Sequence, residues 1–159
     1  MATVISTLAL SSKSFETGGS IPSKYTCDGS EISPQLSWGG APGSTETYVL
    51  IMEDIDSPGR VFTHWVVYNI PGNVTEFEEG ISAMELIRKG ASQGKNDFGA
   101  AGYGGPCPRS DTPHRYRFHV YALDTMLDVP SGVSKSAITG LIKGHILAEG
   151  ELIGTYKRE

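Results

Sequence analysis

The chain holds little cysteine: two residues, Cys27 and Cys107, far apart in sequence and outside any C-x-x-C pair. That spacing gives no zinc knuckle and no thioredoxin-type site. Long hydrophobic runs are missing too, since no apolar stretch approaches the ~20 residues of a spanning helix. The short apolar run within residues 1–14 has neither a basic n-region nor a convincing cleavage site, so the expected location is cytoplasmic, without membrane insertion. Positive charge is scarce: 13 Lys and Arg stand against 18 Asp and Glu, a formal net charge of −5. No basic stripe attracts a phosphate backbone, which argues against nucleic acid, and an anionic membrane surface would repel the chain.

Turn-forming residues are plentiful, with 20 Gly and 9 Pro in 159 residues, and the 38% hydrophobic content is that of a soluble globule. One domain spanning 1–159 with a β-rich fold is the expectation. Tyr48-Val49-Leu50-Ile51-Met52 within residues 45–54 predicts a central strand, and residues 63–70 and 114–123 predict two more. Fainter strand signals lie at 4–10, 36–38 and 151–156. Val133, Ala137, Ile138, Leu141 and Ile142 recur at helical spacing and predict a helix from Ser134 to about His145, capped by Ser134 or Ser136. Residues 82–89 form a candidate second helix, crowded by Gly80 and Gly90. Residues 11–25 and 73–103 read as long irregular stretches, of the kind that carry function.

His64 and His114 each open a β-type run just downstream of a stiff turn: Glu53-Asp54-Ile55-Asp56-Ser57-Pro58-Gly59 before the first, Gly104-Gly105-Pro106-Cys107-Pro108 before the second. Two such units can bring imidazoles and carboxylates to one rim, a site for a small polar or anionic ligand. Strand alternation places His114, Tyr116, Phe118 and Val120 on the core face of the third strand. It places His119 on the other face, beside Arg115 and Arg117, as a solvated residue. Around His64 both faces are apolar, with Val66, Tyr68 and Ile70 on its own side and Trp65 and Val67 opposite, so parity leaves its direction open. His145 reads as a favourable charge at a helix C-terminus. Asp54 and Asp56 alternate at a strand end, where turn chemistry accounts for both. Cys27 and Cys107 read most simply as two reduced thiols, though their Gly- and Pro-rich turns would let them meet as one disulfide where the compartment allows.

The spelling of these segments resembles the phosphatidylethanolamine-binding protein family, which includes the Raf-kinase inhibitor proteins and plant flowering-time regulators. The resemblance rests on Asp54-Ile55-Asp56-Ser57-Pro58, His64-Trp65, Gly105-Pro106-Cys107-Pro108 and His114-Arg115-Tyr116. Cys27-Asp28-Gly29, Ser33-Pro34-Gln35-Leu36-Ser37-Trp38, Gln93-Gly94-Lys95-Asn96-Asp97-Phe98-Gly99 and Gly144-His145-Ile146-Leu147-Ala148-Glu149-Gly150 look like its bacterial and archaeal branch. The resemblance implies that Asp54 lines a pocket floor beside the two histidines. It also implies that Asp56 and Pro58 shape the loop through a cis Ser57-Pro58 bond, and that the pocket accepts phosphate-type groups, phospholipid head groups included. Regulation of kinases or proteases is known in the family, but it depends on outer surface as well as pocket. Two departures stand out. Pro108-Arg109-Ser110-Asp111 adds a cation and an anion to the pocket's lip, and the chain ends at Glu159 without the C-terminal helix that covers the pocket in animal members, which speaks against a lid and Raf-type inhibition.

The expected fold is therefore mainly β, an antiparallel Greek-key β-sandwich with one or two peripheral helices. The expected function is a binding protein, not an enzyme, with no cofactor and no bound metal. Its pocket for phosphate or a phospholipid head group is assembled from Asp54, His64, Gly105, Pro108, His114 and Tyr116. Asp56, Pro58, Phe62, Trp65, Pro106 and Cys107 shape it. In this reading Asp54 raises the pKa of both histidines and so favours their charged form. The alternative is a hydrolase or metal-dependent enzyme using Asp54, His64 and His114, although no G-x-S-x-G elbow or short metal-ligand spacing supports it. A protein partner such as a kinase or protease, and a homodimer, complete the expectations.

Overall fold

The computed structural model describes residues 5–84, 87, 90–109 and 111–158. Its strands are β1 (Ser6–Thr7), β2 (Ala9–Ser11), β3 (Leu36–Gly39), β4 (Thr47–Asp54), β5 (Phe62–Pro71), β6 (Glu76–Phe77), β7 (Ser92–Gln93), β8 (His114–Leu123) and β9 (Ile146–Tyr156). A helix, α1 (Lys135–Ile142), precedes β9, and a single 3-10 turn covers Ser23–Tyr25. Strands β1, β9, β8, β4, β5 and β7 lie side by side in one sheet, and β2, β3 and β6 in a second. The order β8-β4-β5-β7 is a Greek key: the chain leaves the sheet after β5 to lay β6 in the other layer, returns as β7, then crosses to β8 beside β4. The larger sheet is mixed, not wholly antiparallel, because the N-terminal strand β1 enters parallel to β9.

The central strands read as continuous apolar runs because both their faces are covered. Leu50, Met52, Trp65, Phe118 and Val120 pack toward the smaller sheet against Trp38 and Phe77. Val49, Ile51, Val66 and Tyr68 pack on the opposite side, against Leu127 and the α1 residues Ile138 and Ile142. Each buried branched or aromatic side chain of this kind contributes about 1.5–3 kcal/mol relative to exposure. Along β8, solvent reaches the α1 side in part, so alternation survives there: His114, Tyr116, Phe118 and Val120 are buried, and Arg115 is exposed.

Two local features depart from the sequence reading, each for a physical reason. α1 ends at Ile142, short of His145, because the chain turns at Gly144 with φ of 81°. His145 instead pairs through Nδ1 with Asp124 at 2.8 Å, and the Ser134 hydroxyl bonds Ser136 rather than capping the helix. Within 82–89, residues 85, 86, 88 and 89 lie outside the described set, and the described ones are not helical. Ile87 instead closes a turn, accepting from the Gly90 amide and donating to the Ala91 carbonyl. Val4 of the first strand signal also lies outside the described residues. Among the described residues no helix is long and apolar enough to cross a membrane.

Candidate functional site

At one end of the sandwich, where β4 finishes and β5 and β8 begin, the strands stop short of one another and leave a cavity of about 490 Å³. Asp54, Phe62, His64 and His114 line it from the strands. The loops supply Ser57 and Pro58 on one side, Asp97 and Phe98 on another, and Cys107, Pro108 and Arg109 on a third.

His114 comes from regular strand geometry. Asp54 pairs with Tyr116 across the β4–β8 ladder, and the imidazole two residues back along β8 comes to rest on the carboxylate. His114 Nδ1–H donates to Asp54 Oδ2 at 2.6 Å, with both side chains almost wholly buried. The second carboxylate oxygen accepts the Asp56 amide at 2.9 Å. Asp54 is thus fixed from two directions and fixes the His114 ring in turn.

His64 comes from an irregularity. Between the pairs Met52–Trp65 and Glu53–Thr63 the β4–β5 register slips by one residue, and His64 is the extra one. Such a bulge re-aims side chains. It turns His64 toward the inter-sheet side with Phe62, where the ring meets Phe62, Phe98 and Tyr116 at centroid distances of 5.0, 5.3 and 5.4 Å. A second slip follows between Tyr48 and Leu50, where Asn69 adopts φ of 53°. Simple alternation along β5 is therefore wrong: Trp65, Val67 and Ile70 share the inter-sheet core, whereas Val66 and Tyr68 face α1.

The His64 ring is wired to backbone. Its Nδ1–H donates to the Gly104 carbonyl at 2.7 Å, and the Gly104 amide returns a bond to the His64 carbonyl at 3.0 Å. This fixes the tautomer and leaves Nε2 without a proton in the neutral ring. Burial pushes the His64 imidazole below the usual histidine range and outweighs the opposing pull of Gly104, Asp54, Asp97 and Glu31. The expectation that Asp54 holds this histidine in its charged form is therefore corrected: the carboxylate is spent on His114, and dehydration dominates at His64. Gly104 has to be glycine for this packing, since a Cβ would lie 2.5 Å from the Phe98 ring.

Several expected residues stand behind the cavity and not in its wall. Tyr116 is fully buried beneath both imidazoles. Its hydroxyl has no hydrogen-bond partner of good geometry among the described residues, and burial, with the Asp54 carboxylate, pushes its pKa far above the ordinary tyrosine range. The Gly105 amide does not face the cavity, because it donates to Glu31 Oε2 at 3.3 Å. Pro106 is buried, with its carbonyl accepting from the Cys27 amide. Trp65 lies in the core, its indole N–H donating to Gln93 at 2.7 Å.

Asp56 points outward to Arg115, which donates from its backbone N, Nε and Nη2 and holds the carboxyl at a pKa of about 2. It shapes the loop from outside. No cis peptide bond occurs among the described residues, so Ser57-Pro58 is trans. The two thiols are not free: Cys27 and Cys107 form a disulfide, with Cα atoms 5.4 Å apart across a sequence separation of 80. His119 lies on the face that alternation assigned, but it is only partly solvated. It stacks on Tyr121 at 4.2 Å, and burial lowers its pKa.

Asp97 and Phe98 are two wall residues that the resemblance quoted without assigning them to the pocket. They sit in the long 73–103 stretch, yet that stretch is ordered by pairing: the Thr63 amide donates to Asp97 Oδ2 at 2.7 Å, and the Asp97 amide to the Thr63 carbonyl. Asn96 shapes the tip, its Oδ1 accepting from the Phe98 amide. The signal available was the Asn96-Asp97-Phe98-Gly99 string itself, an Asx turn closed by Gly99 at φ of 89°. Among the described residues no group of three His, Cys, Asp or Glu side chains is arranged to hold a metal ion.

The geometry has counterparts elsewhere. The sequence profile of the phosphatidylethanolamine-binding protein family matches residues 11–157. A UPF0098 protein of Methanothermobacter thermautotrophicus is 48% identical over 149 residues, covering 94% of this chain and 98% of its own. One from Aquifex aeolicus is 47% identical over 150 residues, covering 93% and 87%. The crystal structure of a phosphatidylethanolamine-binding protein homolog from Chlamydia trachomatis superposes with a TM-score of 0.88 at 40% identity, covering 96% of this chain and 99% of that one. That of E. coli YbcL, described as a member of the mammalian family, gives 0.87 at 33% with the same coverage. The chain belongs to the phosphatidylethanolamine-binding protein family.

Proposed function

We propose that the protein binds a small phosphate-type anion, free or as a phospholipid head group, in the cavity bounded by His114, His64 and Arg109, and that it does so without catalysis. The observation that carries this reading is the buried Asp54–His114 pair in the wall of a largely apolar cavity. Asp54 accepts the hydrogen bond from His114 Nδ1–H and orients the ring, while Arg109 stands at the lip. An imidazole and a guanidinium at one concave site suit phosphate oxygens, through charge-assisted hydrogen bonds worth about 1.5–3 kcal/mol each. The family's own name speaks for the head-group form of this ligand.

An Asp-His pair is also the geometry of a general base, which makes a hydrolase the second reading. Its one nearby thiol, Cys107, is tied up in a disulfide and offers no nucleophile. Calorimetric titration of inorganic phosphate and of phosphoethanolamine into the purified chain tests the binding reading, and native mass spectrometry of what co-purifies identifies the physiological ligand. Turnover of phosphoethanolamine under the same conditions would replace binding with catalysis.

A further inference from the structure

The wall that carries Cys107, Pro108 and Arg109 into the cavity is poor in backbone donors, because Pro106 and Pro108 have no N–H to offer. At its start it is fastened by the two-way bonding of Gly104 with His64 and by the Gly105 amide on Glu31. From Pro106 onward the fastening changes in kind. The Cys27 amide donates to the Pro106 carbonyl at 3.1 Å, the Cys27 and Cys107 sulfurs are joined, and Arg158 Nη1 lies 3.6 Å from Cys107 Sγ. The far anchor is firm: the Thr26 hydroxyl donates to the Ser23 carbonyl at 2.8 Å, and Asp28 accepts from Tyr156 and Arg158. A covalent link stands where, among the described residues, backbone pairing has run out, and Cys107 itself faces the cavity.

We propose that the Cys27–Cys107 disulfide is a redox gate on the anion pocket: formed, it holds Pro108 and Arg109 over His114, and reduced by a dithiol, it frees that wall and lowers anion affinity. The gate rests on the binding reading given above. In the reduction a thiolate of the dithiol attacks one sulfur, the S–S bond breaks, and the other sulfur leaves as a thiolate and takes up a proton. The second thiol of the reductant then closes its own disulfide and releases the first cysteine, so that two electrons and two protons reach the protein. An anion seated in the cavity obstructs the approach to Cys107. By linkage, whatever factor the disulfide adds to anion affinity, the bound anion adds to the stability of the disulfide. A cytosolic thiol pool would open such a gate, and an oxidising compartment would keep it shut.

The test titrates inorganic phosphate and phosphoethanolamine into the oxidised chain, the same chain reduced with dithiothreitol, and the C27S/C107S variant, with circular dichroism at the assay temperature reporting folding. The gate predicts a loss of about ten-fold or more in affinity for both thiol forms while they stay folded, a difference well within calorimetric reach. Independently of any variant, thiol release from the oxidised chain by dithiothreitol should slow several-fold at saturating phosphate. Equal affinity in folded oxidised and reduced chains, or thiol release indifferent to phosphate, overturns the gate and leaves the pocket standing. Unfolding of the reduced chain makes the bond a structural staple and overturns the gate too. An oxidised chain that binds neither anion overturns the pocket reading, and the gate with it.

Discussion

His64 and His114 reach the same cavity from opposite flanks of β4, and they are held there by different means. On the β8 flank the ladder is in regular register and the imidazole rests on a carboxylate. On the β5 flank the ladder is broken by a bulge and the imidazole rests on a backbone carbonyl. A carboxylate partner shares charge with a ring and stabilises it as an ion-pair member, whereas a carbonyl fixes a tautomer. Two histidines a few residues from matching turns thus do unlike work. The His114 ring is positioned by a carboxylate, and the His64 ring by a carbonyl that fixes its tautomer.

The largest expected effect separates His114 from the one histidine on its strand that faces away. Replacing His114 with Ala should weaken phosphate binding by about 1.5–3 kcal/mol, the range for a charge-assisted hydrogen bond. His119→Ala should leave the calorimetric affinity within about 0.5 kcal/mol, as a change remote from the site does. Equal losses would erase the distinction between the two faces of β8.

The next test strains the other flank alone. Gly104→Ala drives a methyl into the Phe98 ring and should cost about 1–3 kcal/mol of stability in urea denaturation, the usual range for overpacking. Affinity should fall as the ring moves, while the Asp54–His114 pair is untouched.

A smaller effect distinguishes the proton chemistry. The pKa of His64 is lowered by burial, and so is that of His119. A lowered histidine stabilises the fold fully above the ordinary value near 6.5, and that contribution is lost as pH falls through the folded value. Melting temperature should therefore drop between pH 7 and 5. Affinity for sulfate, whose charge is constant over that range, should rise as the anion draws a proton onto His64. His64→Gln should flatten the affinity profile and reduce the slope in stability, the remainder belonging to His119. A sulfate affinity that climbs with pH would contradict the neutral ring.

The least is expected outside the cavity. Asp56 is held at a pKa of about 2 by Arg115, so its contribution is present above the ordinary value near 4 and lost as pH falls toward 2. Because the pair is partly exposed, Arg115→Ala should cost well under about 1 kcal/mol in chemical denaturation at pH 7, and the difference should vanish near pH 2.

What was legible in the chain follows the same divide. The β8 flank could be read because alternation is a local signal: His114 and His119 fell on the faces assigned to them. The central strands announced themselves as apolar runs since both faces of the sheet are covered. The β5 flank could not be read, because bulges leave no mark in the order of side chains, and the second one, at Asn69, sent Trp65 and Ile70 to the same face in defiance of parity. The disulfide depends on a 5.4 Å approach between turns 80 residues apart, a distance that no spacing rule contains. Asp97 and Phe98 hid in a stretch without periodicity, ordered by bonds to β5 and not by its own pattern.

The bulge at His64 can also be viewed as a phase shift. A strand is a wave of period two, and one added residue advances it by half a period. Phe62 and Trp65, three apart, can then share a crest: one lines the cavity, the other packs the core. The pocket is written in the number of residues between these two aromatics as much as in their identity. Loss of a single residue from that interval would swing one of them to the wrong side of the sheet, even if every remaining side chain were kept.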